Sequence, residues 1–299
     1  MTILITGASG LVGRALTTHL SAAGHTVLPL RRGPASAGER RWQPEIGRID
    51  LGALEGVEAV VHLAGESVAG RWTPRRKEQI VASRLLGTRL LSALMAASQP
   101  APRVLISASA VGYYGDRGDE PLTEASAPGT GFLADLARQW EAAAEDARAA
   151  GIRVVHPRLG VVLSADGGAL PRMLPPFRLG LGGPLGSGRQ YMPWITLRDT
   201  VRAVEHLLTC EQVGGPVNLV APDQVTNAQF GRALAAALGR PALGRVPAMA
   251  LKLAMGQMAE EMLLASQRVA PDALLDSGFA HSDPLLRPAL NFVLHSAGR

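Results

Sequence analysis

Chemistry in this 299-residue chain starts at its amino terminus. The run Thr6-Gly7-Ala8-Ser9-Gly10-Leu11-Val12-Gly13 sets three glycines between a short β-branched stretch, Met1 to Thr6, and an Ala/Leu-rich stretch of helical spacing, Leu11 to Ala23. Gly7 permits a sharp turn, Gly10 removes a side chain that would hold a pyrophosphate away, and Gly13 lets a helix lie close on a strand. The amides that open the helix, following Ser9 and Gly10 and including Leu11 and Val12, would then face phosphates at the positive end of its dipole. A bare tight turn is the alternative, and the strand-turn-helix context weighs against it. Where an unphosphorylated dinucleotide would meet Asp or Glu at the end of the second strand, Thr26 to Leu30, the chain carries Arg31 and Arg32. Guanidinium groups grip a phosphate with paired donors, so NADP(H) is the expected cofactor in preference to NAD(H). Two solvated arginines at a strand end are the competing reading.

Ser109 stands just past a fourth strand, Val104 to Ser107, at the edge where ligands approach open α/β sheets. Its hydroxyl either donates to a substrate carbonyl or caps a turn through its own backbone. Tyr113 and Tyr114 are candidate proton donors, provided that Arg84 or another cation lowers a phenol's pKa. Further on, Gly183, Gly186 and Gly188 make a pliable loop, Gln190 offers both donor and acceptor, and Trp194 offers a flat apolar wall. That combination fits a sugar-like or aromatic polar substrate. His62 and His156 fall in apolar strands and read as satisfied core histidines, with no spacing that would bind a metal. Asp199 reads as the cap of a helix starting near Thr200, Lys77 as part of a solvated helix face with Arg75 and Arg76, and the Met249 to Met262 stripe as core packing.

Positioning these residues takes alternating strands and helices. Strands are predicted at 1–6, 26–30, 59–63, 104–107, 153–155 and 217–220, with helices at 11–23, 75–97, 133–150, 197–208 and 227–238. The rhythm predicts an α/β fold, a doubly wound parallel sheet covered on both faces, with a smaller C-terminal substrate-side region. The expected division is a dinucleotide-binding domain over 1–160, its sheet completed from 195–240, and a Gly/Pro-rich then helical region over 161–299.

Composition narrows the classes. Hydrophobic residues are 47% and charged residues 18%, which excludes a disordered chain. Arginine supplies 28 of the 30 basic residues behind the net charge of +5, spread along the chain with only 4% aromatics, so nucleic acid is not an expected partner. Cys210 stands alone, and no apolar run nears the roughly 18 residues of a membrane span. With a strand at the very start and no basic leader, the expectation is a cytoplasmic protein with a small-molecule substrate and no membrane partner, a homodimer being left open.

Taken with the glycine turn, His62-Leu63-Ala64-Gly65-Glu66, Gly87-Thr88 and Ser107-Ala108-Ser109 before Tyr113-Tyr114-Gly115 make the first 160 residues resemble the extended short-chain dehydrogenase/reductases. Trp140-Glu141, Gly180-Leu181-Gly182-Gly183, Pro193-Trp194-Ile195 and the C-terminal Ser266-Gln267, Val269, Pro271 and Gly278-Phe279 narrow this. They resemble atypical nucleotide-sugar-epimerase-like proteins with a DUF1731-type C-terminal region. The resemblance implies an NADP(H)-binding oxidoreductase or epimerase acting on a small molecule. It places the backbone of Leu63, Ala64 and Gly65 along the nucleotide, Arg84 near a ribose or phosphate, and Val162 near the nicotinamide. It also implies a Tyr with a Lys four residues later, and this chain has none: Arg117, Gly118 and Ile195 follow its three tyrosines, and Phe132 and Leu133 lie where the tyrosine belongs. A non-catalytic NADP(H)-binding regulator or scaffold is therefore the rival reading.

Overall fold

Ile3, Leu4 and Ile5 in β1 (Thr2–Thr6) are fully buried, as a strand covered on both faces requires. The computed structural model describes residues 1–33, 40–50 and 52–295. From β1 the chain runs through α1 (Leu11–Ala22), β2 (Thr26–Arg31), β3 (Arg40–Gln43), β4 (Arg48–Ile49), β5 (Ala59–His62), α2 (Pro74–Ala97), β6 (Val104–Ser107) and β7 (Ser109–Ala110). Next come β8 (Pro121–Leu122), α3 (Phe132–Ala142), α4 (Glu145–Ala149), β9 (Arg153–Leu159), β10 (Val161–Leu163), α5 (Leu170–Arg178), β11 (Trp194–Thr196), α6 (Leu197–Thr209) and β12 (Gly215–Leu219). The remainder is α7 (Asn227–Ala237), α8 (Ala248–Met255), β13 (Arg268–Val269), α9 (Asp272–Asp276) and α10 (Leu286–His295).

The main sheet has the order β12-β9-β6-β5-β1-β2-β3-β4, parallel throughout except for the β3–β4 pair. The chain winds outward from β1 to β4, then returns to β5 on the other side of β1. That reversal opens a crevice at the carboxyl ends of β1 and β5. Register keeps the strand ends level: Thr6 lies opposite both Leu30 and His62, and His62 opposite Ser107. The glycine turn, the β2 arginines and the Leu63–Gly65 backbone therefore meet at one edge.

The doubly wound sheet agrees with the sequence reading, but several elements differ from it. The β3–β4 hairpin extends the sheet beyond β2, where only Trp42 buries a large side chain and periodicity was too weak to mark a strand. The single helix expected over 133–150 breaks into α3 and α4. A helix, α5, forms in the Gly/Pro-rich segment despite Pro175 and Pro176, because Leu170, Leu174 and Phe177 bury one face in a second core with Trp194, Phe230 and Leu290. Thr196, not Asp199, caps α6, its hydroxyl accepting from the Asp199 amide. The methionine stripe is mostly not core: Met249 and Met262 are exposed, Met255 is half-buried and Met258 alone of the four is buried. Among the described residues, α2 is long and apolar enough by composition to cross a membrane, unlike any bare apolar run. It packs against α3 and α4 and seats Ile80, Leu91 and Met95 in the core.

Gly13 shows how tightly the turn is built, since a Cβ there would stand 2.1 Å from the Gly7 carbonyl oxygen. Gly13→Ala must push α1 off β1, and overpacking of this kind costs ~1–3 kcal/mol or more. Thermal melts should show the midpoint lowered by several degrees, whereas an unchanged midpoint would contradict the close approach.

Candidate functional site

The crevice is a cleft of about 390 Å³ lined by Gly7, Ala8, Ser9, Gly10, Leu30, Arg31, Arg32, Trp42, Leu63, Ala64 and Gly65. Gly7 turns with φ +70°, and a Cβ there would lie 2.7 Å from the Leu63 carbonyl carbon, so both backbone conformation and space demand glycine. No side chain caps the N-terminus of α1 and no acidic residue sits in its first turn, which leaves its positive end open to an anion. Leu11 and Val12 form that first turn, Leu11 with its side chain against Gly167 and Gly168, and Gly13 sits behind the turn.

Arg31, which ends β2, and Arg32, which follows it, both line the cleft. Arg32 makes an exposed ion pair with Glu45 at 3.3 Å. Such pairs are worth roughly 0–1 kcal/mol and do not hold a guanidinium back from a phosphate dianion. The donor set therefore suits an adenine dinucleotide carrying a 2′-phosphate: an open helix terminus for the pyrophosphate and two cations at the ribose edge of β2.

Behind the turn, Thr6 Oγ1 lies 2.6 Å from His62 Nδ1 and accepts the amides of Leu63 and Ala64, each at 3.2 Å. That pairing fixes the backbone against which Gly7 packs. His62 is not the fully satisfied histidine expected, because its Nε2 has no hydrogen-bond partner among the described residues and its ring meets Trp42 edge-on at 5.8 Å. Burial, with a smaller push from Arg84, lowers its pKa to about 3. Arg84 itself does not face the cleft. Its guanidinium lies beneath Gly65, donates to the Glu66 and Ile80 carbonyls and stacks 4.9 Å over Trp140. Burial lowers its pKa to about 10, with Glu66 opposing and Arg76 adding to the shift. These contacts engage Arg84 with the loop that follows β5, and it is not among the residues lining the cleft. Val162 lies on β10, paired with Ile195, and packs against the main core.

The hydroxyl candidates are drawn into a buried network that the sequence reading missed. Ser109 Oγ donates to Glu141 at 2.7 Å, and Arg158 donates to both oxygens of the same carboxylate at 2.8 and 2.9 Å. Arg158 also donates to Tyr114 Oη, which in turn donates to Asn218 Oδ1 at 2.7 Å. Burial works against the charge of Arg158, but the hydrogen bonds and charge of Glu141 outweigh it and hold the guanidinium above its ordinary pKa. Tyr114 moves opposite to what a proton donor needs, for burial raises its pKa by more than Arg158 and Asn218 lower it. The cation beside it is Arg158, not Arg84. Tyr113 is half-buried with its ring 3.5 Å from the Arg158 guanidinium, and its hydroxyl makes no hydrogen bond among the described residues. The predicted strand ends at 155, whereas β9 runs on to Leu159 and buries Arg158, and a buried charge needs a partner.

The substrate-side expectations fare differently. Trp194 is fully buried in the second core, with its indole N–H donated to the Asp223 carbonyl, so it presents no wall to a ligand. Gln190 is also buried and spends its amide on the Leu185 and Leu263 carbonyls, tying the glycine loop to the C-terminal region. Asp199 holds the same region through the amides of Ser282 and Asp283. Lys77 is not on a solvated face: its Nζ meets Gln257 Oε1 at 2.5 Å and lies over the Phe132 ring. Gln257 donates on to Glu261, whose carboxylate accepts the Phe132 and Leu133 amides at the start of α3. A C-terminal side chain thus closes the helix end where the missing tyrosine would stand.

Comparison with known proteins now bears on this geometry. Residues 3–219 match the model of the NAD dependent epimerase/dehydratase family, and residues 246–293 match a domain of unknown function, DUF1731. The chain belongs to the NAD dependent epimerase/dehydratase family. It is 46% identical over 298 residues to an epimerase family protein of Mycobacterium bovis, Mb2239, covering 99% of this chain and 98% of that one. The crystal structure of human epimerase family protein SDR39U1 with NADPH superposes with a TM-score of 0.91 at 36% identity, over 99% of both chains. A nucleoside-diphosphate sugar epimerase from Corynebacterium glutamicum gives a TM-score of 0.82 at 39% identity, over 98% of this chain and 58% of that one.

Two outcomes test the buried groups. His62 and His156, whose pKa burial lowers to about 3 and about 4, stay neutral in the folded chain while the unfolded chain protonates both near 6.5. The unfolded state then binds more protons, so stability falls as pH drops below 6.5, by on the order of 1.4 kcal/mol per unit for each group. Urea denaturation between about pH 7 and pH 5, above the main carboxylate range, should show that loss, and His156→Gln should make it shallower. A flat profile would contradict the assignment. Separately, Glu141→Leu strands the Arg158 charge and should cost ~3–5 kcal/mol, with Arg158→Met in the same chain restoring much of it. A single variant as stable as the parent would refute the pairing.

Proposed function

We propose that this chain is an NADP(H)-dependent oxidoreductase or epimerase acting on a small polar molecule, possessing an acid/base arrangement without the Tyr/Lys pair. The observation that carries the reading is the cleft, where an uncapped helix terminus meets Arg31 and Arg32 and no carboxylate ends β2. The SDR39U1 structure with NADPH supports the choice of phosphorylated cofactor, and the epimerase relatives support a sugar-like substrate, with a nucleotide sugar as the leading candidate. When bound, the cofactor supplies or accepts hydride.

The protein's residues supply the rest. Ser9, Gly10 and the first turn of α1 orient the phosphates, and Arg31 with Arg32 holds the 2′-phosphate. Tyr113, the one member of the tyrosine pair with an uncommitted hydroxyl, holds the proton exchanged with the substrate oxygen, its ring fixed on Arg158. Ser109 and Tyr114 act through position, since Glu141, Arg158 and Asn218 already occupy their hydroxyls.

That occupation favours a second reading, an NADP(H)-binding regulator without turnover. Screening carbonyl compounds and nucleotide sugars for a change in NADPH absorbance separates the two. Turnover that Tyr113→Phe reduces at least ~100-fold, in the range for general acid/base catalysis, supports the enzyme. Tight cofactor binding with no turnover on any compound supports the regulator. In binding titrations, Arg31→Ala with Arg32→Ala should cut the preference for NADPH over NADH by at least about 10-fold, the loss expected from even one charge-assisted contact worth ~1.5–3 kcal/mol. An unchanged preference would refute the cofactor assignment.

A further inference from the structure

Two segments far apart in sequence, 167–197 and 224–259, together contain seven basic residues and no Asp or Glu. They lie against each other: the Gly244 amide donates to the Gly182 carbonyl, Val246 to Pro184, and Gly186 back to Val246. All seven basic side chains are exposed. Among the described residues Arg178, Arg189, Arg232 and Arg240 have no ion-pair partner, and Lys252 alone meets an acid, Glu260.

The same face carries apolar side chains where water should be. Leu179, Leu181, Leu243, Met249 and Leu253 are between 65% and 81% exposed. Seven of the eight residues of α8 are apolar, yet only Leu251 is buried. An apolar helix left outside the core, beside a loop tip bearing Leu243 and ringed by cations, has the make-up of an element that lies in a lipid interface. Scattered single apolar side chains are ordinary on a surface, but four leucines and a methionine this exposed on two adjoining segments are not.

We propose that this face docks on an anionic lipid bilayer, with Leu243 and the outer side of α8 entering the headgroup region and the arginines meeting lipid phosphates. The charge selects the occupant. A second copy would bring seven cations against seven in a two-fold contact, which repels. A nucleic acid would satisfy the arginines but leave aliphatic leucines against phosphate, and none of the aromatic rings within these two segments is exposed for a base to stack on. An anionic bilayer meets both demands at once, since polybasic segments and apolar insertion act together there.

The test is flotation of the full chain with vesicles of phosphatidylcholine alone or mixed with phosphatidylglycerol. The chain is expected to float with the mixed vesicles and not with the neutral ones. Raising salt to about 1 M, or substituting Arg178→Glu with Arg240→Glu, should weaken binding at least about tenfold. Leu243→Ser with Leu253→Ser, both at exposed positions, should do the same while circular dichroism and the thermal midpoint stay as in the parent. Failure of the folded parent to float with anionic vesicles would overturn the proposal. So would leucine variants that bind as the parent does, which would mean adsorption by charge alone. Equally strong binding to soluble polyglutamate that ignores the leucines would point to an acidic protein partner instead. A dimer in sedimentation that the leucine variants convert to monomer, with no vesicle binding, would assign the face to a second copy.

Discussion

Close approach of backbone to backbone at the end of β1 is the constraint on which the rest of this structure depends. Gly7 lies against the Leu63–Ala64 peptide, and Gly13 against Gly7 itself, at distances that no Cβ would allow. Thr6 and His62 hold the facing strand ends together from beneath through a short hydrogen bond and two further amides. Without that contact α1 could not point its uncapped terminus into the crevice, and the β2 arginines would have no phosphate to share with it. The unpaired Nε2 of His62 is what such tight packing leaves: the ring is wedged between Trp42 and Gly87, where a partner for both nitrogens has no room.

The residues weighed for acid/base chemistry are held in a network of their own. Leu133 stands near the place of the expected tyrosine, and the helix end that would present it is closed by Glu261 from the C-terminal region. Ser109 and Tyr114 are bound into a carboxylate–guanidinium network whose members are nearly all buried. A paired, multiply hydrogen-bonded charge of this kind fixes geometry more than it adds stability. It ties β7, β9 and α3 to one another, and the half-buried Tyr113 lies with its ring on the Arg158 guanidinium and its hydroxyl outside the network.

Much of the nucleotide half was legible because parallel sheets write themselves plainly. Ile3–Ile5, Val60–Val61 and Leu105–Ile106 are continuous apolar runs, and a glycine turn between strand and helix has few other uses. Legibility failed where tertiary contacts overrule local signals. Leu170, Leu174 and Phe177 force a helix through two prolines, and Trp194, which looks like a ligand wall by residue type, is needed to fill the second core. The resemblance places Arg84 near the cofactor, while the contacts it makes in the fold are with Trp140 and the loop after β5. The methionine stripe departs for the opposite reason: its spacing is that of a core helix, while the fold buries only Met258 of its four methionines.

The central claim is that the cleft holds a dinucleotide whose additional phosphate lies between the two β2 arginines. A crystal structure of the chain grown with NADPH tests it most directly. The account predicts the pyrophosphate over Ser9 and Gly10 and the 2′-phosphate within hydrogen-bond distance of Arg31 and Arg32. A 2′-phosphate pointing to solvent away from both side chains, or a cofactor bound outside this crevice, would contradict it.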